Sequence, residues 1–307
     1  MTKYSGPMRG ISYMMATVFL LSLSDAAAKW LAPHYPAIQI VCVRALLGVG
    51  PALGLVLWGE GRRGLATSHL VAHASRSLLM LVSWLLFIFA IRALSLATAY
   101  TIVFGAPLFM TLFSRVFLGE HVSGPRWVAV GGGFLGVLLV CSPASMGFNT
   151  AAFIALLAAM VWAVTSLIAR RLSQQEPSSR ILFYYMAISV LATVPFAATT
   201  WRPIAVAHLP VFLLTGLVGV VAHWLLAQAF RYGEVSLIAP FEYTGLVWAI
   251  LLGYWLWGDV PTAGVLSGGG LIIASGIYMI RAERGRRQPE EEEAEAQRAP
   301  TPASSSA

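Results

Sequence analysis

The chain has 307 residues, 58% of them hydrophobic and 11% charged, with a mean hydropathy of +0.76. A soluble domain carries about 25% charged residues to solvate its surface, so this composition excludes a soluble protein and makes the lipid bilayer the chain's main partner. The formal charge of +7 lies in short segments between apolar runs, without the basic, aromatic-interleaved stripe of a nucleic-acid binder.

Lys3 and Arg9 precede an apolar run that starts at Ile11. A signal peptide begins this way. Here the run continues through Asp25 and Lys29 to Trp30 with no clear small-x-small cleavage site ahead of a polar mature start, so an uncleaved first helix is predicted. A hydrocarbon core of about 30 Å takes about 20 apolar residues per helix. Ten spans follow, near residues 10–31, 36–58, 76–94, 96–116, 125–141, 151–171, 181–200, 209–229, 236–257 and 262–281. Pro36, Pro125, Pro177, Pro203, Pro210 and Pro261 stand in or beside the gaps, where helices stop. Trp30, Trp58, Trp127, Trp201 and Trp257 fall near span ends, at the interfacial depth that indole rings prefer. With the N-terminus in the cytoplasm, sixteen of the 20 Lys and Arg fall in cytoplasmic segments; Arg92 and Arg202 lie outside, and Lys29 and Arg44 within spans. This positive-inside bias predicts that both termini are cytoplasmic. Cys42 and Cys141 sit in apolar runs and define neither a disulfide framework nor a metal site; no cofactor is expected. Residues 284–307 are charged and then Pro/Ala/Ser-rich, a cytoplasmic tail expected to be disordered.

The two halves resemble each other. An ungapped shift of 139 residues sets Ala90 and Arg92 on Ala229 and Arg231, Leu112 on Leu251, and Gly119-Glu120 on Gly258-Asp259. After a two-residue slip the triplet Gly131-Gly132-Gly133 falls on Gly268-Gly269-Gly270. A looser match sets Ser24-Asp25 and Lys29 against Thr165-Ser166 and Arg170. Five spans per half is an odd number, so the halves, 10–141 and 151–281, are predicted to lie upside down relative to one another. That is an all-α membrane protein of two inverted five-helix repeats, an architecture that puts a transporter's solute between the halves near the midplane.

The stretch FGAPLFMTLFSRVFLGEHVSGPRWVAVGGGFLGVLLV, residues 104–140, resembles the end of an EamA repeat of the drug/metabolite transporter superfamily. Its marks are a proline, an apolar run, Leu-Gly-Glu, a short turn and a Gly-rich last helix. Residues 235–280 look like a second copy, with Asp259 in place of the Glu and Leu246 where the first copy has Pro107. The resemblance implies a ten-helix inner-membrane transporter of a small polar metabolite. Export is the favoured direction. The alternative is uptake of a vitamin-like or nucleoside-like solute such as riboflavin or S-adenosylmethionine.

Ionisable groups inside hydrocarbon cost roughly 2.5–3.5 kcal/mol each and face the interior or a water-filled path. Asp25 and Lys29 stand at i,i+4 on the first span, close enough to pair. By helical rise Asp25 lies roughly 9 Å and Arg44 roughly 12 Å from the outer helix ends, so the three are expected to cluster. The excess positive charge suits a zwitterionic or carboxylate-bearing solute, taken by the planar Arg44 fork. The bland reading has Lys29 snorkelling to the interface while Asp25 and Arg44 neutralise each other. His223 and Glu242 each lie roughly 9 Å from the predicted inner end and pair as a candidate proton relay, with Arg231 as a rival partner for Glu242. Trp84, Tyr100, Tyr184, Tyr185, Tyr243 and Trp248 are candidate cavity aromatics, their plain alternative being helix packing. The Gly triplets read as close helix packing, with a homodimer face as the alternative.

Two other classes compete. A membrane-embedded transferase needs a reactive pair, and the chain has no His-x4-Asp, no Asp-x-x-Asp and no long polar loop; an enzyme is not expected. A passive channel lacks any need for the repeat.

Overall fold

The computed structural model describes residues 5–106, 108–110, 112–113, 124–141, 150–173, 175–232, 241, 243–278 and 281. Among the described residues the chain is helical and contains no strand. The helices are α1 (Ser5–Leu31), α2 (Ala37–Glu60), α3 (Leu70–Ala93), α4 (Leu96–Val103), α5 (Gly124–Cys141), α6 (Thr150–Ser173), α7 (Ser178–Thr199), α8 (209–232), α9 (Thr244–Trp257) and α10 (Ala263–Tyr278). Six of them, α1, α2, α3, α6, α7 and α8, are long and apolar enough to cross a membrane; the other four hold shorter apolar stretches.

The ends obey local chemistry. Pro36 and Pro177 precede α2 and α7 with extended backbones, because proline brings no N–H and fixes φ ready for a helix start. Ser95 caps α4, its Oγ accepting from the Thr98 N–H. The helical ladder of α4 breaks at Phe104–Gly105, ahead of Pro107, which offers no N–H to the Val103 carbonyl. Gly258 closes α9 in the left-handed region, φ +68°, a conformation glycine adopts without a Cβ penalty. In α8 the α-helical pattern gives way to a π turn over Leu214–Val218. Such turns free backbone groups and recur at functional positions. The Ser24 hydroxyl of α1 takes up one of these, donating to the Thr215 carbonyl at 3.2 Å.

The principal packing pairs are α3 on α6, α2 on α7 and α1 on α8, followed by α3 on α7, α2 on α8, α1 on α9, α4 on α9 and α4 on α6. Alanines 151, 152, 155, 158, 159 and 163 of α6 are buried, and such small side chains let neighbouring backbones approach. Gly136 of α5 meets α10 so closely that a β-carbon on it would stand 2.7 Å from the Gly268 carbonyl oxygen. Large apolar side chains cover the outside, Trp58 at 90% and Leu191 at 75% exposure among them, the surface expected of a body set in lipid. Turns meet at opposite ends. At one end Gln39 donates to the Arg202 carbonyl at 2.7 Å, and its own Oε1 accepts from the Arg202 N–H at 2.9 Å. At the other, Arg180 grips Glu60 at 2.6 Å.

Candidate functional site

Two turns into α2, Arg44 is buried at 2% exposure, and none of Nε, Nη1 and Nη2 has a hydrogen-bond partner among the described residues. One face of the guanidinium stacks on Trp84 of α3, Cζ lying 3.7 Å from the ring centroid. The guanidinium also lies against Gly219 of α8, just after the π turn; a β-carbon there would stand 3.0 Å from Nη2. Desolvating an unpaired charge costs several kcal/mol, and stacking on a dry indole returns about 2 kcal/mol. Five N–H donors remain unanswered, so an incoming carboxylate would find them waiting.

Asp25 does not answer them. Its Oδ2 accepts from Tyr100 Oη at 2.7 Å, and the described ion pairs include none between Asp25 and Arg44. From Tyr100 an aromatic row continues: Phe87 at 6.0 Å, Phe104 at 5.6 Å, then Tyr243 at 5.6 Å from Phe104. Tyr100 and Tyr243 thus share one aromatic row, while Trp84 packs in a separate cluster with residues of α1, α2 and α8. Trp248 instead packs edge-on against Phe19, and Tyr184 donates to the Leu65 carbonyl at the α2–α3 turn.

Lys29 leaves the expected cluster. Its Nζ donates to the Leu94 carbonyl at 2.9 Å and pairs with Asp259 Oδ2 at 3.2 Å, 4.9 Å from the Trp257 ring. The local i,i+4 spacing to Asp25 is overruled because Lys29 is in the last turn of α1, where its stem reaches two turns carrying a free carbonyl and a carboxylate. Beside it a cavity of about 310 Å³ is lined by Ser95, Thr98, Asp259 and Thr262. His223 is held locally too: Nδ1 donates to the Gly219 carbonyl at 2.8 Å, leaving Nε2 as the acceptor. Glu242, its expected partner, lies outside the described residues, as does the side chain of Arg231.

Sequence reading missed a second polar centre at the α2–α3 and α6–α7 end. Glu176 accepts from Thr67, from His69 Nδ1 at 3.2 Å and from Arg180, whose other nitrogen holds Glu60. Burial alone would push this carboxyl up, but the bonds from Thr67, His69 and Arg180 outweigh it and hold it below the usual carboxylate range. A folded value below the unfolded one means stability that is present at neutral pH and lost as pH falls through the folded value. Glu176→Gln is therefore expected to cost about 1–3 kcal/mol at pH 7, with the difference shrinking in acid. Thermal unfolding in detergent at pH 7 and pH 4 checks it; an equal deficit at both would assign the loss to packing.

The EamA-like transporter family matches residues 8–142 and 149–281. The S-adenosylmethionine uptake transporter of Rickettsia bellii is 25% identical over 275 residues, 90% of this chain and 94% of that one. The pseudopaline exporter CntI of Pseudomonas aeruginosa is 26% identical over 278 residues, 90% and 97% of the two chains. A riboflavin transporter of Rhizobium johnstonii is 28% identical over 236 residues, 75% and 76%. A crystal structure with 16% identity and a TM-score of 0.63, covering 90% of this chain and 97% of its own, shares the fold.

Proposed function

The chain belongs to the EamA-like transporter family, and from that premise we propose that it moves a small, carboxylate-bearing, amino-acid-like solute across the bacterial inner membrane as a secondary transporter. It is an integral membrane transporter and not an enzyme. The substrate class rests on the buried Arg44 guanidinium, stacked on Trp84 and without a partner among the described residues. A flat fork with a flat ring beneath it is suited to grip a carboxylate in two places.

The architecture we assign is ten spans in two inverted five-helix repeats, residues 10–141 and 151–281, with both termini cytoplasmic. Three observations support it. The family matches the chain twice in succession. Exchanging each helix for the one five places along turns the α1–α8 pair into α3–α6, α1–α9 into α4–α6 and α2–α8 into α3–α7; it leaves α2–α7 and α4–α9 unchanged. The basic residues lie overwhelmingly at the ends assigned to the cytoplasm. Trp84 and His223 are equivalent under the shift of 139, which suits a solute site on the axis between the halves. Glu242 and His223 are assigned to proton coupling, since intramembrane acid–histidine pairs relay protons in transporters.

Export is the first reading of direction. Uptake of a vitamin-like or nucleoside-like solute is the second, favoured by the relatives named S-adenosylmethionine uptake transporter and riboflavin transporter. Proteoliposomes separate them. Labelled S-adenosylmethionine and a panel of amino acids are expected to include a solute that accumulates against its gradient and exchanges in counterflow. Its methyl ester is expected to be refused. An ester carried as well as the acid would overturn the Arg44 reading, and purely dissipative flux would make the protein a channel. Glu242→Gln is expected to abolish accumulation driven by a proton gradient and to spare counterflow; accumulation with unchanged pH dependence would remove Glu242 from the coupling.

A further inference from the structure

We infer that Arg76 is a second contact for the solute's acidic group, lying between Arg44 and the α2–α3 end of the bundle, an assignment that rests on Arg44 binding that group. By sequence Arg76 belongs with the cytoplasmic cations. In the fold it stands on the second turn of α3, two turns before Trp84. Its Nε is buried with no hydrogen-bond partner, and no carboxylate pairs with it among the described residues.

A continuous thread of side chains joins the two arginines. Arg76 Cζ lies 5.9 Å from the Tyr185 ring of α7. The Tyr185 ring is 6.2 Å from that of His223 on α8. His223 bonds to the Gly219 carbonyl, and the Gly219 backbone lies against the Arg44 guanidinium. The thread draws on α2, α3, α7 and α8, so it runs between the halves and not along the lipid face. The nearby carboxylates are already engaged: Glu60 by Arg180 and Ser179, and Glu176 by Thr67, His69 and Arg180.

Other buried polar atoms share this state. Buried side-chain polar atoms without a hydrogen-bond partner among the described residues are Ser22 Oγ, the three nitrogens of Arg44, His73 Nε2 (which faces Glu176 Oε1 at 3.9 Å), Arg76 Nε, Ser77 Oγ and Ser189 Oγ. All belong to α1, α2, α3 and α7. More than nine in ten buried polar groups in folded proteins are satisfied. Unanswered nitrogens on both arginines, joined through Tyr185 and His223, therefore mark a track whose donors are met by passing water or by the oxygens of an anionic solute. Arg44 and Arg76 then hold the same carboxylate in succession.

The track can be probed without knowing the solute. In a Cys42→Ala, Cys141→Ala background, Arg76→Cys is placed in liposomes and modified with an anionic sulfonatoethyl methanethiosulfonate or its trimethylammonium counterpart. Val82→Cys on the exposed side of α3 serves as the lipid-facing control. The anionic reagent is expected to react about tenfold faster than the cationic one, since a cleft of one sign concentrates opposite charge. Adding Arg44→Gln is expected to collapse that preference. Arg76→Cys reacting no faster than the Val82→Cys control, or preferring the cation, overturns the assignment. A loss confined to position 76, with transport still dependent on Arg44, sinks only this inference. Normal transport by Arg44→Gln sinks the Arg44 reading instead.

Discussion

Replacing Arg44 with alanine is expected to lower transport by a hundredfold or more at only a modest cost in stability. The first effect follows from the fork: two charge-assisted bonds to a carboxylate are worth about 1.5–3 kcal/mol each, and about 2.7 kcal/mol is already a hundredfold. The second follows from the surroundings. Truncating one member of a buried ion pair strands the other charge at about 3–5 kcal/mol. Here Arg44 attracts the buried Asp25 without bonding to it, and Asp25 keeps its bond from Tyr100, so a smaller cost is expected. Arg44→Lys keeps the charge and loses the planar fork, so an intermediate loss of about tenfold is expected. Initial rates of counterflow and a melting curve in detergent check both halves. A large fall in melting temperature with Arg44→Ala would make the residue structural. Recovery of transport in the double change Asp25→Asn with Arg44→Gln would make Arg44 a counterion for Asp25.

Gly268→Val is expected to be as damaging, through assembly and not through binding. A β-carbon at Gly268 would stand 2.6 Å from the Gly136 carbonyl oxygen and 2.5 Å from the Val140 side chain. The first of these is backbone, which cannot rotate aside, so α5 and α10 would have to separate. Overpacking a filled interface costs about 1–3 kcal/mol and sometimes more, and the small-residue contact it would break is what brings membrane helices together. Each triplet supplies its own control, because Gly131 and Gly270 have open space where a β-carbon would go. Gly270→Ala is expected to behave like the parent. Monodispersity after extraction and the melting temperature measure this. Equal tolerance of Gly268→Val and Gly270→Ala would refute the packing.

Composition and periodicity are local, averaged properties, and they were enough to place this chain in lipid and to mark its long apolar helices. They also singled out Arg44, since a cation in an apolar run must be accommodated somewhere. Pairing between distant helices is a different matter. Asp25 and Lys29 are four residues apart, yet their partners are Tyr100 and Asp259, because a long stem in the last turn of α1 reaches turns from both halves. Arg76 reads as a loop cation, and only the packing of α3 against α7 lays it on Tyr185. Glu176 looks like an ordinary turn residue until the α2–α3 segment brings Thr67 and His69 to it. Sequence by itself determined which groups are costly to bury. Only the tertiary structure decided which of them are answered, because that depends on what the helices of one half set against those of the other.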